Sequence, residues 1–343
     1  MVTLNVTKQW LRMAIVRSCH SERSEESPAF SEATVYGNSP NSARKDFSLM
    51  DDLLYWIALH GVEGVGPATF RLILDRFGGP KAAMEAPRKE LISVRGLSDS
   101  VIRGIVQGRG RLEDTKKLLK TLNKNGISVI IRGEEDYPAP LKDMKNPPVV
   151  LYARGRYLSA SGGDERAVAI VGTTRPTEKG LWIARESARR LVEMGYTIVS
   201  GYARGIDTAA HLGALEAGGR TILALPTGML RFLWRGEFKP YIKSMDAYLI
   251  LSDSFPTQGW HVGAAMSRNR LIACLSRAVL VVETEVGGGA IYTAEFARGL
   301  GRKVFTLHYK DAPHTARGNQ LLLERGAIPL TNFKELEECM TKL

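Results

Sequence analysis

The stretch VAIVGTTRPTEKGLWIARESARRLVEMGYTIVSGYARGIDTAAHLGALEAGGRTILAL, residues 168–225, decides the architecture. Its three short apolar runs, VAIVG (168–172), YTIVS (196–200) and TILAL (221–225), are rich in β-branched residues. Between them apolar residues recur at three- and four-residue spacing, which predicts helices over about 178–194 and 205–218. Strands this apolar are buried on both faces. Their alternation with helices therefore implies a mostly parallel sheet covered on each side. AYLIL (247–251), AVLVVE (278–283) and KVFTL (303–307) continue the series. The expected class is α/β, with a Rossmann-like doubly wound sheet. In such sheets ligands bind beyond the carboxyl ends of the strands, so the post-strand loops are where function is sought.

Upstream, ISVII and PVVLYA within 127–153 read as strands joined by a connector whose prolines (138, 140, 147, 148) exclude helix through most of it. This stretch, 126–165, is taken as the entry to a sheet domain spanning 126–335. Before it, MDDLLYWIALHGVEGVGPATFRLILDRFGG (50–79) has the helical period, broken by Gly64-Val65-Gly66-Pro67. KELISVRGLSDSVIRGIVQG (89–108) repeats the pattern around Arg95-Gly96-Leu97-Ser98. Both resemble helix-hairpin-helix units, whose glycine turns aim backbone N–H groups at phosphates; a plain helical domain packed through glycine turns fits equally well. A small helical domain over 49–125 is expected. Residues 1–48 are Ser-, Glu-, Arg- and Pro-rich without an apolar period and are expected to be a disordered tail, with Met50 an alternative start. Residues 336–343 are expected to form a short C-terminal tail.

A length of 343 residues suits two domains, and 44% hydrophobic with 24% charged residues excludes wholesale disorder. No run approaches a membrane span, and three scattered cysteines form neither a disulfide framework nor a metal spacing. A cytoplasmic protein without metal or cofactor is expected. The net charge of +11 favours a polyanionic partner. Residues 1–48 hold 6 basic and 5 acidic residues, so the excess lies in the folded part.

Four loops carry the candidate site. Gly172-Thr173-Thr174-Arg175 follows the first parallel strand, with Lys179 on the next helix. Hydroxyls and an arginine ahead of a helix suit a phosphate. No Gly-x-Gly-x-x-Gly occurs there, which argues against an NAD or FAD enzyme. Ser200-Gly201-Tyr202-Ala203-Arg204-Gly205 follows the second, and Asp207 could cap a helix or hold Arg204. Arg268-Asn269-Arg270 would repel itself unless an anion or carboxylate meets it. Gly287-Gly288-Gly289 opens a helix after an apolar strand, where backbone amides can touch a ligand. No serine, histidine and acid cluster points to a hydrolytic triad, although spacing leaves His211, His261 and His308 open. Arg175, Arg204, Arg268 and Arg270 are expected to line one basic pocket. Among aromatics near the loops, Tyr202 and Trp260 are candidates for stacking on bases, whereas Trp182 falls inside a predicted helix.

The succession YPAPLKDMKNPPVVLYARG, IVGTTRPTEKG, SGYARGIDTAAH, SRNRLIACLSRAVLVVE, GGGAIYTAEFARGLGRKVF and GNQLLLERGA is similar to the DprA/Smf DNA-processing family over about residues 50–330. The resemblance implies a Rossmann-like DNA-binding core behind a sterile-alpha-motif-like helical domain. It also implies non-catalytic binding of single-stranded DNA, a homodimer, and loading of a RecA-type recombinase during natural transformation. The chain departs from the family pattern in several motifs. Its arginine stands one place late at Arg175, Ala265-Met266 replaces Phe-Pro, Gly288-Gly289-Ala290 replaces Ser-Gly-Ser, and only Pro226-Thr227-Gly228 remains of a Gly-x-Gly-Leu-Asp stretch. The alternative is a nucleotide sensor or a hydrolase of the LOG type, since GGGAIYTAE ends in Glu295 like that signature but lacks its Gly-Thr.

Overall fold

The computed structural model describes residues 47–155, 157 and 164–343. The expected tail at 1–48 lies outside them except for its last two residues, which open the first helix. Residues 51–343 form one compact unit.

Six helices come first: α1 (Phe47–His60), α2 (Pro67–Phe77), α3 (Pro80–Glu85), α4 (Arg88–Ser93), α5 (Asp99–Gly108) and α6 (Leu112–Lys124). Local sequence sets their ends. Pro67 and Pro80 open α2 and α3, where a missing N–H costs nothing. Gly78 closes α2 in the left-handed region with its N–H on the Leu74 carbonyl, and the Ser98 hydroxyl caps α5. The two expected glycine turns join α1 to α2 and α4 to α5.

A nine-stranded sheet follows, in the order β1-β2-β6-β5-β4-β3-β7-β8-β9. Strands β1 (Ser128–Ile131) and β2 (Val150–Arg154) are antiparallel, and β2 runs antiparallel to β6 (Tyr248–Ser252). The remaining strands are parallel: β3 (Ala167–Val171), β4 (Thr197–Ser200), β5 (Thr221–Ala224), β7 (Ala278–Val281), β8 (Lys303–Leu307) and β9 (Ile328–Leu330). Every strand expected from the sequence is present, and β9 is an addition. One face packs on α9 (Val262–Cys274), α10 (Gly289–Gly299) and α11 (Arg317–Glu324), through Leu271, Ala294 and Leu322 among others. The alternate residues of β3, β4 and β5 meet α7 (Glu178–Glu193) and α8 (Ile206–Glu216).

The boundary expected at 125 ends α6 but does not separate two cores. Ile57, Phe70 and Ile105 of the helical segment share one apolar cluster with Val129, Tyr152, Leu223 and Ile250 of the sheet. The final stretch differs from expectation. Part of the proposed 336–343 tail belongs to helix α12, Phe333–Met340. Asn332 caps it, and the Glu335 carboxylate accepts from the Thr331 N–H at 2.7 Å. Phe333 packs edge-on to Trp182, and Arg190 pairs with Glu337 at 2.6 Å, so α12 is fixed on α7. No described helix is long and apolar enough to cross a membrane.

Two histidines, His60 half-buried and His211 buried, tie helices to strands. His60 Nδ1 lies 3.1 Å from the Tyr152 hydroxyl, and His211 Nδ1 lies 2.7 Å from the Thr221 hydroxyl. Burial pulls the pKa of His60 down to about 4. Burial, then Arg235 and Arg268, pulls that of His211 down to about 3. Unfolded histidine titrates near 6.5, so each depressed group contributes stability that is complete above that value and is lost as the pH falls. The expected slope is at most about 1.4 kcal/mol per pH unit for each histidine. Urea midpoints measured from pH 7 to pH 4 should decline, and His60→Gln should make the decline shallower. An unchanged slope in that variant would contradict the assignment.

Candidate nucleic-acid interface

The strand order reverses at β3, since the chain moves from β3 to β4 on one side and later reaches β7 on the other. Doubly wound sheets open a crevice at such a point. Here the crevice is bounded by the loop after β3 and the loop after β7.

Thr173 anchors the first loop. Its N–H donates to the Glu283 carbonyl at 2.7 Å, its carbonyl accepts from the Ile206 N–H at 3.2 Å, and its hydroxyl accepts from the Arg175 N–H at 3.3 Å. Thr174 and Arg175 then project into solvent. The second loop makes two close approaches that require glycine. A Cβ on Gly205, at φ 78°, would sit 2.5 Å from the Thr173 carbonyl oxygen. A Cβ on Gly201 would run into the Arg268 guanidinium. Arg268 reaches from α9 over the end of β4 to Asp207 in the first turn of α8, at 3.5 Å, with its side chain only 12% exposed. Burial pushes Asp207 up and Arg268 down from their ordinary pKa values, each opposed by the other's charge.

Of the helices beginning at this rim, two supply their own caps. The Thr177 hydroxyl caps α7 and His261 Nδ1 caps α9. Helices α8 and α10 begin behind Gly205 and Gly288 with no side-chain cap; the Ile206 N–H is taken by the Thr173 carbonyl, and the amides that follow it are left for another partner.

The candidate residues divide accordingly. Ser200 donates to the Ile170 carbonyl at 2.6 Å, Asn269 donates to the Gly289 carbonyl at 3.2 Å, and Arg268 is held by Asp207, so these are committed within the chain. Arg175 and Arg204 are exposed and have no carboxylate partner among the described residues. Lys179 is exposed with its Nζ 5.9 Å from the Tyr309 ring centre. Arg270, on the same helix as Arg268, turns instead toward Phe296 of α10 at 5.8 Å. Structure thus brings the loops of Arg175, Arg204 and Arg268 together, with Arg268 inside and Arg270 on another side of α9.

Tyr202 is packed rather than presented. It sits at φ 58°, unusual for a residue with a Cβ. Its hydroxyl donates to the Leu233 carbonyl at 3.1 Å and accepts from the Arg235 N–H at 2.8 Å. Arg235 lies 4.2 Å above its ring, and Phe232, Trp234 and Phe238 surround it. Trp260, by contrast, is 63% exposed. Glu295, the acid of the LOG-like partial signature, pairs with Arg325 just after α11.

Sequence reasoning missed Glu283, which is buried and accepts from the Thr177 N–H at 2.9 Å and the Thr315 hydroxyl at 2.8 Å. An acid closing an apolar strand run was its only signal.

Residues 128–341 match the family described as DNA recombination-mediator protein A. The chain belongs to that family. It is 35% identical over 293 residues to Protein Smf of Synechocystis, covering 80% of this chain and 73% of the relative. It is 31% identical over 225 residues to DNA processing protein DprA of Bacillus subtilis, covering 65% and 74%. The solved structure of DprA from Streptococcus pneumoniae superposes with a TM-score of 0.68 at 26% identity, over 83% of this chain and 97% of that one. A second, of DNA processing protein A from Helicobacter pylori and described for its single-stranded DNA binding mode, gives 0.54 at 28% identity, over 63% and 96%. The family function is DNA processing and recombination mediation.

The Arg268–Asp207 pair makes a stability prediction separable from DNA binding. Arg268→Ala should destabilise by about 3 kcal/mol, because it leaves Asp207 buried without its counter-charge. Arg175→Ala and Arg204→Ala should each stay within about 0.5 kcal/mol of the parent protein. Denaturant titration of the three variants checks this ordering.

Proposed function

We propose that this protein binds single-stranded DNA along the carboxyl edge of its sheet, without catalysis, and delivers the strand to a RecA-type recombinase. The observation that carries the reading is the pair of exposed, unpaired guanidiniums, Arg175 and Arg204, beside the uncapped start of α8. Free amides and forked cations together are the equipment for successive phosphates. The Helicobacter relative, described as a single-stranded DNA binder, supports the same reading. Thr174, Lys179 and the amides at Gly288 and Gly289 extend the contact. Gly172, Gly201 and Gly205 let the backbone come close, while Ser200, Thr173, Asn269 and Arg268 hold the loops in shape.

Trp260 takes the stacking role in this proposal, and Tyr202 shapes the loop. The working unit is a homodimer, which lengthens the basic track, and its setting is natural transformation in the cytoplasm. Light scattering well above micromolar concentration tests the dimer. Acceleration of recombinase-driven strand exchange tests the hand-over.

Binding to labelled oligo-dT across a salt series tests the core of the proposal. Arg175→Ala and Arg204→Ala should each weaken binding and reduce the salt slope by about 0.7 per lost phosphate contact. Binding unaffected by both changes would remove the reading. Trp260→Leu should weaken binding without lowering the thermal midpoint, whereas Tyr202→Leu should lower the midpoint.

A further inference from the structure

Between the first glycine turn and the exit of β6 lies a cavity of about 620 Å³, lined in part by Gly61–Pro67, Asp253, Phe255 and Ser267. Among the described residues, neither the exposed rim arginines nor any other arginine or lysine lines it. Its titratable lining is Asp253, Glu63, His60 and His261; burial keeps the His60 ring neutral and pushes the Asp253 carboxyl above its usual range. The Ser267 hydroxyl donates to Oδ2 of Asp253. Oδ1 is buried and has no hydrogen-bond partner among the described residues. A buried carboxylate oxygen without a donor is unfavourable, and a ligand that brings one relieves it. Phosphate does the opposite at this place.

A second cavity of about 640 Å³ adjoins the first, sharing Gly61, Val62, Glu63 and Phe255. Its character is different. Arg103 of α5 and Arg111 after it line this second space, both exposed and without an ion-pair partner among the described residues, while Asp114 is engaged by Lys117 at 3.4 Å. Thus an acceptor seeking N–H groups lies on one side of Phe255, and free guanidiniums lie on the other. Those are the two ends of a nucleotide, and the volumes are of the size that encloses one.

We propose that these two cavities form a nucleotide site separate from the sheet rim, with Asp253 receiving the amino group of cytosine, adenine or guanine and Arg103 with Arg111 receiving the phosphate. Thymine, which lacks an exocyclic amine, is disfavoured. The nucleotide is either one unit of a bound strand or a free mononucleotide. The strand-borne case rests on the proposed DNA binding, and the free case does not.

Oligo-dC and oligo-dT of equal length, with dCMP and dTMP, separate these cases. The parent protein should bind oligo-dC about tenfold more tightly than oligo-dT. Asp253→Asn keeps the size and, with its oxygen held by Ser267, turns its NH2 toward the base, so the preference should vanish while oligo-dT affinity stays. Arg103→Ala combined with Arg111→Ala should weaken both oligonucleotides equally, as should Arg175→Ala with Arg204→Ala, each leaving the preference intact. A dCMP-induced rise in thermal midpoint, lost in Asp253→Asn and in the Arg103/Arg111 double variant, identifies a free mononucleotide as a ligand. If Asp253→Asn does not fold, loss of the dCMP effect in that exposed double variant is the required result. Equal affinity for the two oligonucleotides together with no dCMP effect would overturn the site, and oligo-dT binding through the rim would stand unaffected.

Discussion

The carboxylate of Glu283 fixes the crevice on which the rim depends. It stands at the end of β7, fully buried, where the strand order reverses. Thr177 gives it an N–H and a hydroxyl, Thr315 gives a hydroxyl at 2.8 Å, and Tyr309 gives a phenol at 3.4 Å. Burial and Glu283 itself push the Tyr309 pKa up, so that phenol remains a donor. The main-chain carbonyl of the same residue receives the Thr173 N–H. A buried charge is tolerated only when its lone pairs are satisfied. The segments around 173–177, 283 and 309–315 are therefore held in one arrangement, and α7 can approach only because Gly180 has no side chain to meet the carboxylate.

That fixed floor governs how the rim's charges divide. Asp207 stands in the first turn of α8, where a free carboxylate would occupy the positive end of the helix and repel an incoming anion. Arg268 meets it from beneath Gly201 and neutralises it within the protein. The α8 start then faces outward with Arg175 and Arg204 uncompensated. A buried pair of this kind adds little to stability compared with an apolar substitute. Its consequence lies in the electrostatic sign of the surface above it.

Much of this was legible in the sequence, and the parts that were not have definite causes. Apolar β-branched runs marked the strands because buried parallel strands admit little else, and glycine-rich gaps marked the loops. Such patterns say which loops meet at one edge but not which side chains turn inward. Arg268 and Arg270 look equivalent in SRNR, yet helical spacing sends one across β4 and the other toward Phe296. Tyr202 looked like a stacking surface because its partners, Phe232, Trp234 and Phe238, arrive from thirty residues downstream. The ordering of α12 had a local signal, Asn332 followed three residues later by Glu335, and its amphipathic face is short. Strand β9 has only three residues, IPL, too few for periodicity to register.

Ion pairs neutralise parts of the surface, so the net charge of +11 is unevenly spread. On the flank formed by α7, α8 and α12 the arginines are matched: Arg185 with Glu216, Arg189 with Glu186 and Glu193, and Arg190 with Glu186 and Glu337. Exposed pairs of this type contribute little stability, but they cancel the field of that flank. Arg302 is matched by Asp143, and Arg220 is clamped on buried Asp164. Among the guanidiniums without a carboxylate partner in the described residues are Arg175 and Arg204 at the sheet edge and Arg103 with Arg111 beside the helical turn. An anion approaching the protein is thus drawn by local imbalance rather than by total charge. The shared core of the helical segment and sheet fixes the spacing between those two places. A polyanion that touched both would span a rigid distance, set by the His60–Tyr152 contact and the apolar cluster around Ile57 and Ile250, rather than one adjusted by a flexible linker.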